Sequence, residues 1–193
     1  MKPLILASES PRRKQLLMEA GFSFDVIPLK VSEIPDKNLN VNEQILDIAR
    51  RKSRAAYEHL KALYPQGFIV IAADTEVIFG DSPLGKPLNR EDAFRILRLL
   101  SGKIHEVKTA VSMMESPSGR EVSQIETTKI FFKSLSDEEI WTYIQTGEPM
   151  DKAGAYGIQG LGGRFVEKFE GSFENVVGLP IPVVRNLLAK LPS

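Results

Sequence analysis

Ser10-Pro11 reads as a helix N-cap followed by proline at the first helical position, and Arg12-Arg13 come next. Cations in a first helical turn oppose the helix dipole, at about 0.3–1 kcal/mol each when exposed. Arg13 also falls on the face of Leu16, Leu17 and Ala20. A bound anion reverses the penalty. The helix start offers free N–H groups, Ser8 and Ser10 offer hydroxyls, and guanidinium forks fit phosphate oxygens. Two solvated arginines at a surface turn are the competing reading. Lys52 is the second oddity, because Ile45, Ile48, Ala49, Ala55 and Ala56 place it on an apolar helical stripe. It reads either as a lysine snorkelling from the stripe's edge or as a phosphate ligand at a pocket wall. Asp74-Thr75 end the apolar run Phe68–Ala73, where a carboxylate is costly unless paired, metal-bound or facing a cleft. In an unbroken strand Glu76 would share a side with Asp74. Two such carboxylates can hold a divalent cation, or one can act as a base.

Three more sites are weaker alone. Gly85-Lys86-Pro87 holds a lysine in a tight turn. Asp151–Gly160 is dense in small residues that let backbone approach a ligand, with Lys152 and Gln159 as polar handles. Glu33 follows a strand and faces either solvent or a metal, while His105 reads as a structural histidine. Together, Arg12, Arg13, Lys52, Lys86 and Lys152 are cations on separate elements, with Asp74 and Glu33 or Glu76 supplying negative charge. That set suits a polyphosphate with a divalent metal.

The elements that would position these residues alternate between strands and helices. Leu4–Ala7 reads as a buried strand. A helix then runs from Pro11 to a stop at Gly21, and Phe24–Pro28 reads as a second strand. Asn40 and Glu43 have capping-box spacing ahead of a long helix ending near Tyr64-Pro65. Phe68–Phe79 is strand-like, and Asn89 caps a helix ending near Ser101-Gly102. His105–Glu115 and Glu121–Lys133 form a hairpin about Ser116-Pro117-Ser118-Gly119. Ser136 and Glu139 repeat the capping box. The glycines from Gly154 to Gly163 read as a loop, Phe165–Phe169 as a strand and Pro182–Leu191 as a final helix. The fold class is α/β with a mixed sheet, because hairpin strands run antiparallel.

Composition narrows the chemistry. The chain has 193 residues, 42% of them apolar, enough for a real core and the usual size of one domain. Basic and acidic residues balance at 25 each, which argues against a nucleic-acid polymer or an anionic membrane as partner. The sequence has no Cys and only two His, His59 and His105. Thiolate chemistry and a multi-histidine metal cage are therefore excluded, and any metal would sit on carboxylates, as magnesium or manganese does. No apolar run approaches the ~20 residues of a membrane span.

At this point the motifs resemble a family. Ser8-Glu9-Ser10-Pro11-Arg12-Arg13 with Leu16-Leu17 is similar to the N-terminal signature of the Maf proteins, nucleoside triphosphate pyrophosphatases related in fold to inosine triphosphatases. The likeness continues through Ala49-Arg50-Arg51-Lys52, Ala73-Asp74-Thr75, Gly85-Lys86-Pro87, and Leu100-Ser101-Gly102 with His105. It closes with Asp151–Gly160, Gly171-Ser172 and Asn175-Val176-Val177-Gly178-Leu179-Pro180. It spans nearly the whole chain in order.

The resemblance implies one pyrophosphatase domain over residues 1–193, with an elongated mixed sheet flanked by helices and two lobes around a cleft. It implies metal-assisted hydrolysis of a nucleoside triphosphate to the monophosphate and pyrophosphate, in the cytoplasm. Family members are often homodimers. Asp74 matches the proton acceptor. Arg13, Thr75 and Gln159 match positions tied to base choice, and resemble the branch acting on dTTP and UTP rather than on 7-methyl-GTP. Ser8, Arg12, Glu33, Lys52, Lys86 and Lys152 match positions assigned to phosphates, metal or the active site generally. CTP and modified pyrimidine nucleotides stay open as substrates. The resemblance puts Glu33 and Asp74 forward as metal ligands; Glu76, where the family usually has an aliphatic residue, either adds a metal-facing carboxylate or points to solvent, and Ser32 stands where many relatives carry a second acid. The other reading is a nucleotide-binding regulator of septum formation without turnover.

Overall fold

The computed structural model describes residues 2–192. Two compact units share the chain. The first takes the residues up to Asp74, Thr109–Glu126 and the segment from Gly178 on; the second takes Thr75–Lys108 and Thr127–Val177.

The strands are β1 (Leu4–Leu6), β2 (Asp25–Val26), β3 (Ile69–Phe79), β4 (Ser82–Pro83), β5 (Ile104–Glu115), β6 (Arg120–Phe132) and β7 (Val166–Glu170). They form one seven-stranded sheet in the order β2-β1-β3-β5-β6-β7, with β4 paired to β3. β1 pairs in parallel with β2 and β3, whereas β4 on β3 and β7 on β6 are antiparallel. The sheet is therefore mixed, as the hairpin predicts. β3 is unbroken through Asp74-Thr75-Glu76. The expected strand at Phe24–Pro28 shrinks to Asp25–Val26, whose side chains are both exposed.

In the first unit, α1 (Pro11–Glu19) starts as expected: the Ser10 hydroxyl accepts from the Arg13 amide, and Pro11 takes the first position. Its first turn carries no acid. α2 (Val41–Leu60) opens with both bonds of the Asn40–Glu43 capping box. It buries Ile45, Ile48, Ala49, Ser53, Ala56 and Leu60. Ala56, Leu60, Ile5, Phe68, Val70, Ala72 and Met114 make one apolar cluster, flanked by Tyr57 and Tyr64 on the Phe68 ring. α6 (Ile181–Leu188) begins earlier and ends sooner than the expected Pro182–Leu191.

The second unit packs α3 (Arg90–Leu100) on α4 (Asp137–Gln145). Both bonds of the Ser136–Glu139 box form. Its core gathers Val77, Ile96, Leu97, Leu100, Ile130, Phe132, Tyr143, Tyr156 and Phe165. His105 is part of this packing: its Nε2 lies 2.8 Å from the Tyr156 hydroxyl, and its ring meets Phe132 edge-on. The segment expected as a loop, Gly154 to Gly163, overlaps two short 3-10 turns, at Ala153–Ala155 and Leu161–Phe165, and a third precedes it at Glu148–Asp151. A five-residue helix, α5 (Phe173–Val177), is an addition to the sequence reading.

Candidate active site

In the first unit, four elements bring Ser8, Arg12, Arg13, Glu33, Lys52 and Asp74 into one neighbourhood. Asp74 sits on β3 and is 7% exposed. Its Oδ1 accepts from Lys52 Nζ at 2.8 Å. Its Oδ2 is buried and, among the described residues, has no hydrogen-bonding partner. The same Lys52 ammonium lies 2.7 Å from Glu33 Oε1. Lys52 therefore leaves the apolar stripe of α2 to bridge two carboxylates, and its side chain is only 13% exposed.

Glu33 lies in the chain between β2 and α2, and its placement has a cause. Arg51, one residue before Lys52, donates to the carbonyls of Ser32 (2.6 Å) and Ile34 (3.0 Å), one on each side of Glu33. Arg51 also pairs with Asp47 one turn earlier on α2. In the sequence Arg51 appears only within the Ala49-Arg50-Arg51-Lys52 motif, with nothing to mark this role.

Arg13 turns inward. Its Nε donates to the Gly178 carbonyl (2.9 Å), and its Nη1 donates to the Ala73 carbonyl (2.9 Å) and the Ser8 hydroxyl (3.3 Å). Burial lowers the pKa of this guanidinium, with Asp74 acting in the opposite direction; an arginine stays cationic at neutral pH regardless. The residue preceding the Asp74 carboxylate is thus fastened to α1, which fixes that carboxylate relative to the helix start. Ser8 accepts from the Ser10 amide as well (3.2 Å). Arg12 is half-buried and makes no hydrogen bond or ion pair among the described residues. The helix start thus offers one guanidinium held in place and one that is uncommitted.

Thr75, Lys86, Lys152 and Gln159 belong to the second unit. Lys86 is exposed in a turn tied to the next motif, because Gly154 N donates to Gly85 O at 2.8 Å. Lys152 donates to the Glu148 carbonyl (2.9 Å) and Asp151 Oδ1 (2.6 Å). Gln159 is exposed at the tip of the glycine-rich segment. Glu148, which the sequence reading passed over, anchors that segment: its carboxylate accepts from the Tyr143 hydroxyl and the amides of Leu161 and Gly162. The available signal was the spacing of Gly157, Gly160, Gly162 and Gly163, which demands that something lie close to the backbone.

Among the described residues no group of three or more His, Cys, Asp or Glu could hold a metal. The donor set still fits magnesium or manganese in one mode. Asp74 Oδ2 is an unpartnered hard oxygen, Glu33 supplies a second carboxylate, and such ions bind through one or two carboxylates plus substrate phosphates. Chemically, the first unit presents a buried carboxylate with one oxygen held by an ammonium and the other unpartnered among the described residues, beside the Arg13 guanidinium.

Compared with known proteins, the family described as Maf-like protein matches residues 3–191. A dTTP/UTP pyrophosphatase of Bdellovibrio bacteriovorus is 72% identical over 98% of this chain and all of its own length. A dTTP/UTP pyrophosphatase of Caldicellulosiruptor bescii is 45% identical over 99% of this chain and 96% of its own. Among solved structures, the Staphylococcus aureus Ham1 protein matches with a TM-score of 0.56 at 16% identity, covering 98% of this chain and 99% of that one. That likeness carries the fold alone. The fold expected from the motifs, a mixed sheet flanked by helices of the inosine triphosphatase kind, is the fold found. The chain belongs to the Maf-like protein family.

Proposed function

We propose that this chain hydrolyses dTTP and UTP to the monophosphate and pyrophosphate, with Asp74 as the proton acceptor. The observation that carries this reading is the buried Asp74 carboxylate, with Oδ1 held by Lys52 and Oδ2 left without a hydrogen-bonding partner among the described residues. A water placed against Oδ2 gives up its proton as it attacks the α-phosphorus. Lys52 and Arg12 offset charge on the phosphates, and Arg13 holds Asp74 in place through the Ala73 carbonyl. Positioning and electrostatics are the main contributions such a site makes to phosphoryl-type transfer. A divalent cation, held by Asp74 and Glu33, would supply further charge neutralisation on the phosphates. The substrate pair is supported by the names of the 72% and 45% identical relatives. Thr75, Lys86, Lys152 and Gln159 enter the proposal through the motifs they share with the family, Gln159 offering both a donor and an acceptor to a pyrimidine edge. The Asp74 carboxylate, with an unpartnered oxygen, favours turnover over nucleotide sensing alone.

The test is pyrophosphate release from all ribo- and deoxyribonucleoside triphosphates and 7-methyl-GTP, with magnesium or manganese. dTTP and UTP should lead. Asp74→Asn should lose about 10²–10⁴-fold in turnover while still binding nucleotide. Near-normal turnover by that variant would remove Asp74 from the base role.

A further inference from the structure

We propose that Glu148 is a positioning residue for substrate recognition, holding Lys152 and Gln159 at once; this rests on the substrate reading above. Glu148 follows Gly147, a left-handed residue (φ 78°) that turns the chain out of α4. Its carbonyl accepts from Lys152 Nζ at 2.9 Å. Its carboxylate accepts three hydrogen bonds: Oε1 from the Tyr143 hydroxyl (2.8 Å) and the Gly162 amide (3.1 Å), Oε2 from the Leu161 amide (2.9 Å). Those two amides lie two and three residues beyond Gln159.

The glycines complete the cradle. A Cβ on Gly160 would stand 2.4 Å from Oε1 and 2.6 Å from Oε2, so the carboxylate lies flat against the residue next to Gln159. A Cβ on Gly162 would meet the Tyr143 hydroxyl at 2.6 Å, and one on Gly157 would meet Lys152 Cε at 2.7 Å. Burial raises the carboxyl's pKa, but the Gly162 and Leu161 amides, Tyr143 and Lys152 outweigh it and bring it below the ordinary glutamate value. The anion is thus the form the cradle selects. Gln159 itself is exposed. Its place is set by the backbone that follows it, and Glu148 fixes that backbone.

Glutamine at 148 would turn an NH₂ group toward amide or hydroxyl donors that now meet oxygen. Gly160→Ala acts independently, since Gly160 has a negative φ (−104°) and the three atoms nearest its added Cβ all belong to the Glu148 carboxylate. The experiment compares wild type, Glu148→Gln, Gly160→Ala and Tyr143→Phe. It reads steady-state kinetics on dTTP, UTP and dGTP, and hydrogen–deuterium exchange at the Leu161 and Gly162 amides. Both cradle variants should raise KM for dTTP by about tenfold or more, with a smaller change in kcat. They should also narrow the preference for dTTP over dGTP and speed exchange at both amides. Tyr143→Phe removes one bond of three and should shift the same readouts less; it carries the test should Glu148→Gln fail to fold. Unchanged exchange, or faster exchange with KM and substrate ranking intact, would overturn the proposal. If wild type is inert toward dTTP, the substrate reading falls. The positioning claim is then decided by exchange together with dTTP affinity.

Discussion

Lys52 was visible in the sequence as a cation on an apolar stripe and Asp74 as a carboxylate ending a buried strand, yet nothing in their spacing said that they meet. Twenty-two residues and a change of element separate them, and only the packing of α2 on the sheet closes that gap. The pair makes a sharp prediction. With both side chains nearly buried, Lys52→Met leaves the Asp74 carboxylate without its cation, a loss of about 3 kcal/mol in unfolding free energy. Adding Asp74→Asn should recover much of it, so denaturant melts of the double variant should fall well short of the two single losses combined. Arg13 teaches the converse lesson. Its position in a first helical turn suggested an anion, but two of its partners are backbone carbonyls 60 and 165 residues away.

Helices were legible where a cap and an apolar period agreed, as at Asn40–Glu43 and Ser136–Glu139. Short pieces were not: α5 has five residues, too few to show a period, and β2 has two. The glycine-rich segment read as a loop because its order comes from one carboxylate and from close backbone approach, neither of which leaves a periodic signal. The same holds for the stretch that carries Glu33, which is fixed by Arg51 rather than by pairing of its own. Arg51→Ala should therefore weaken apparent metal affinity in the turnover assay roughly tenfold. Its melting curve should change little, because the arginine and its neighbours are partly exposed, where such bonds contribute about 1 kcal/mol or less. A wild-type metal dependence in that variant would separate Glu33 from the metal.

For the molecule as a whole, stability should depend on pH through His105. Burial lowers its pKa from 6.5 to about 4, and it is 2% exposed. The unfolded chain therefore binds more protons between those two values. Stability is full above pH 6.5, declines as pH falls and levels near pH 4, a loss of about 3 kcal/mol from this group. Equilibrium unfolding across pH 7 to 4 should show that slope, and His105→Gln should lack it. The stabilisation from Glu115 and Glu148, whose carboxyl pKa values lie below the ordinary glutamate value of 4.5, is full above that pH and is lost only as pH falls below it. The α/β class and the mixed sheet were readable from the alternation of elements and the hairpin. The division of β3 between two units at Asp74 and Thr75 was not, since it is a property of contacts and leaves no mark on an unbroken strand. That division has a consequence for how the protein is made. Every residue of the second unit leaves the ribosome before Gly178, where the last segment of the first unit begins. At ~5–20 residues per second, Asp74 emerges roughly 5–20 s ahead of Gly178. Throughout that interval Arg13 has no Gly178 carbonyl to bind, and a truncation at Val177 would make that wait permanent.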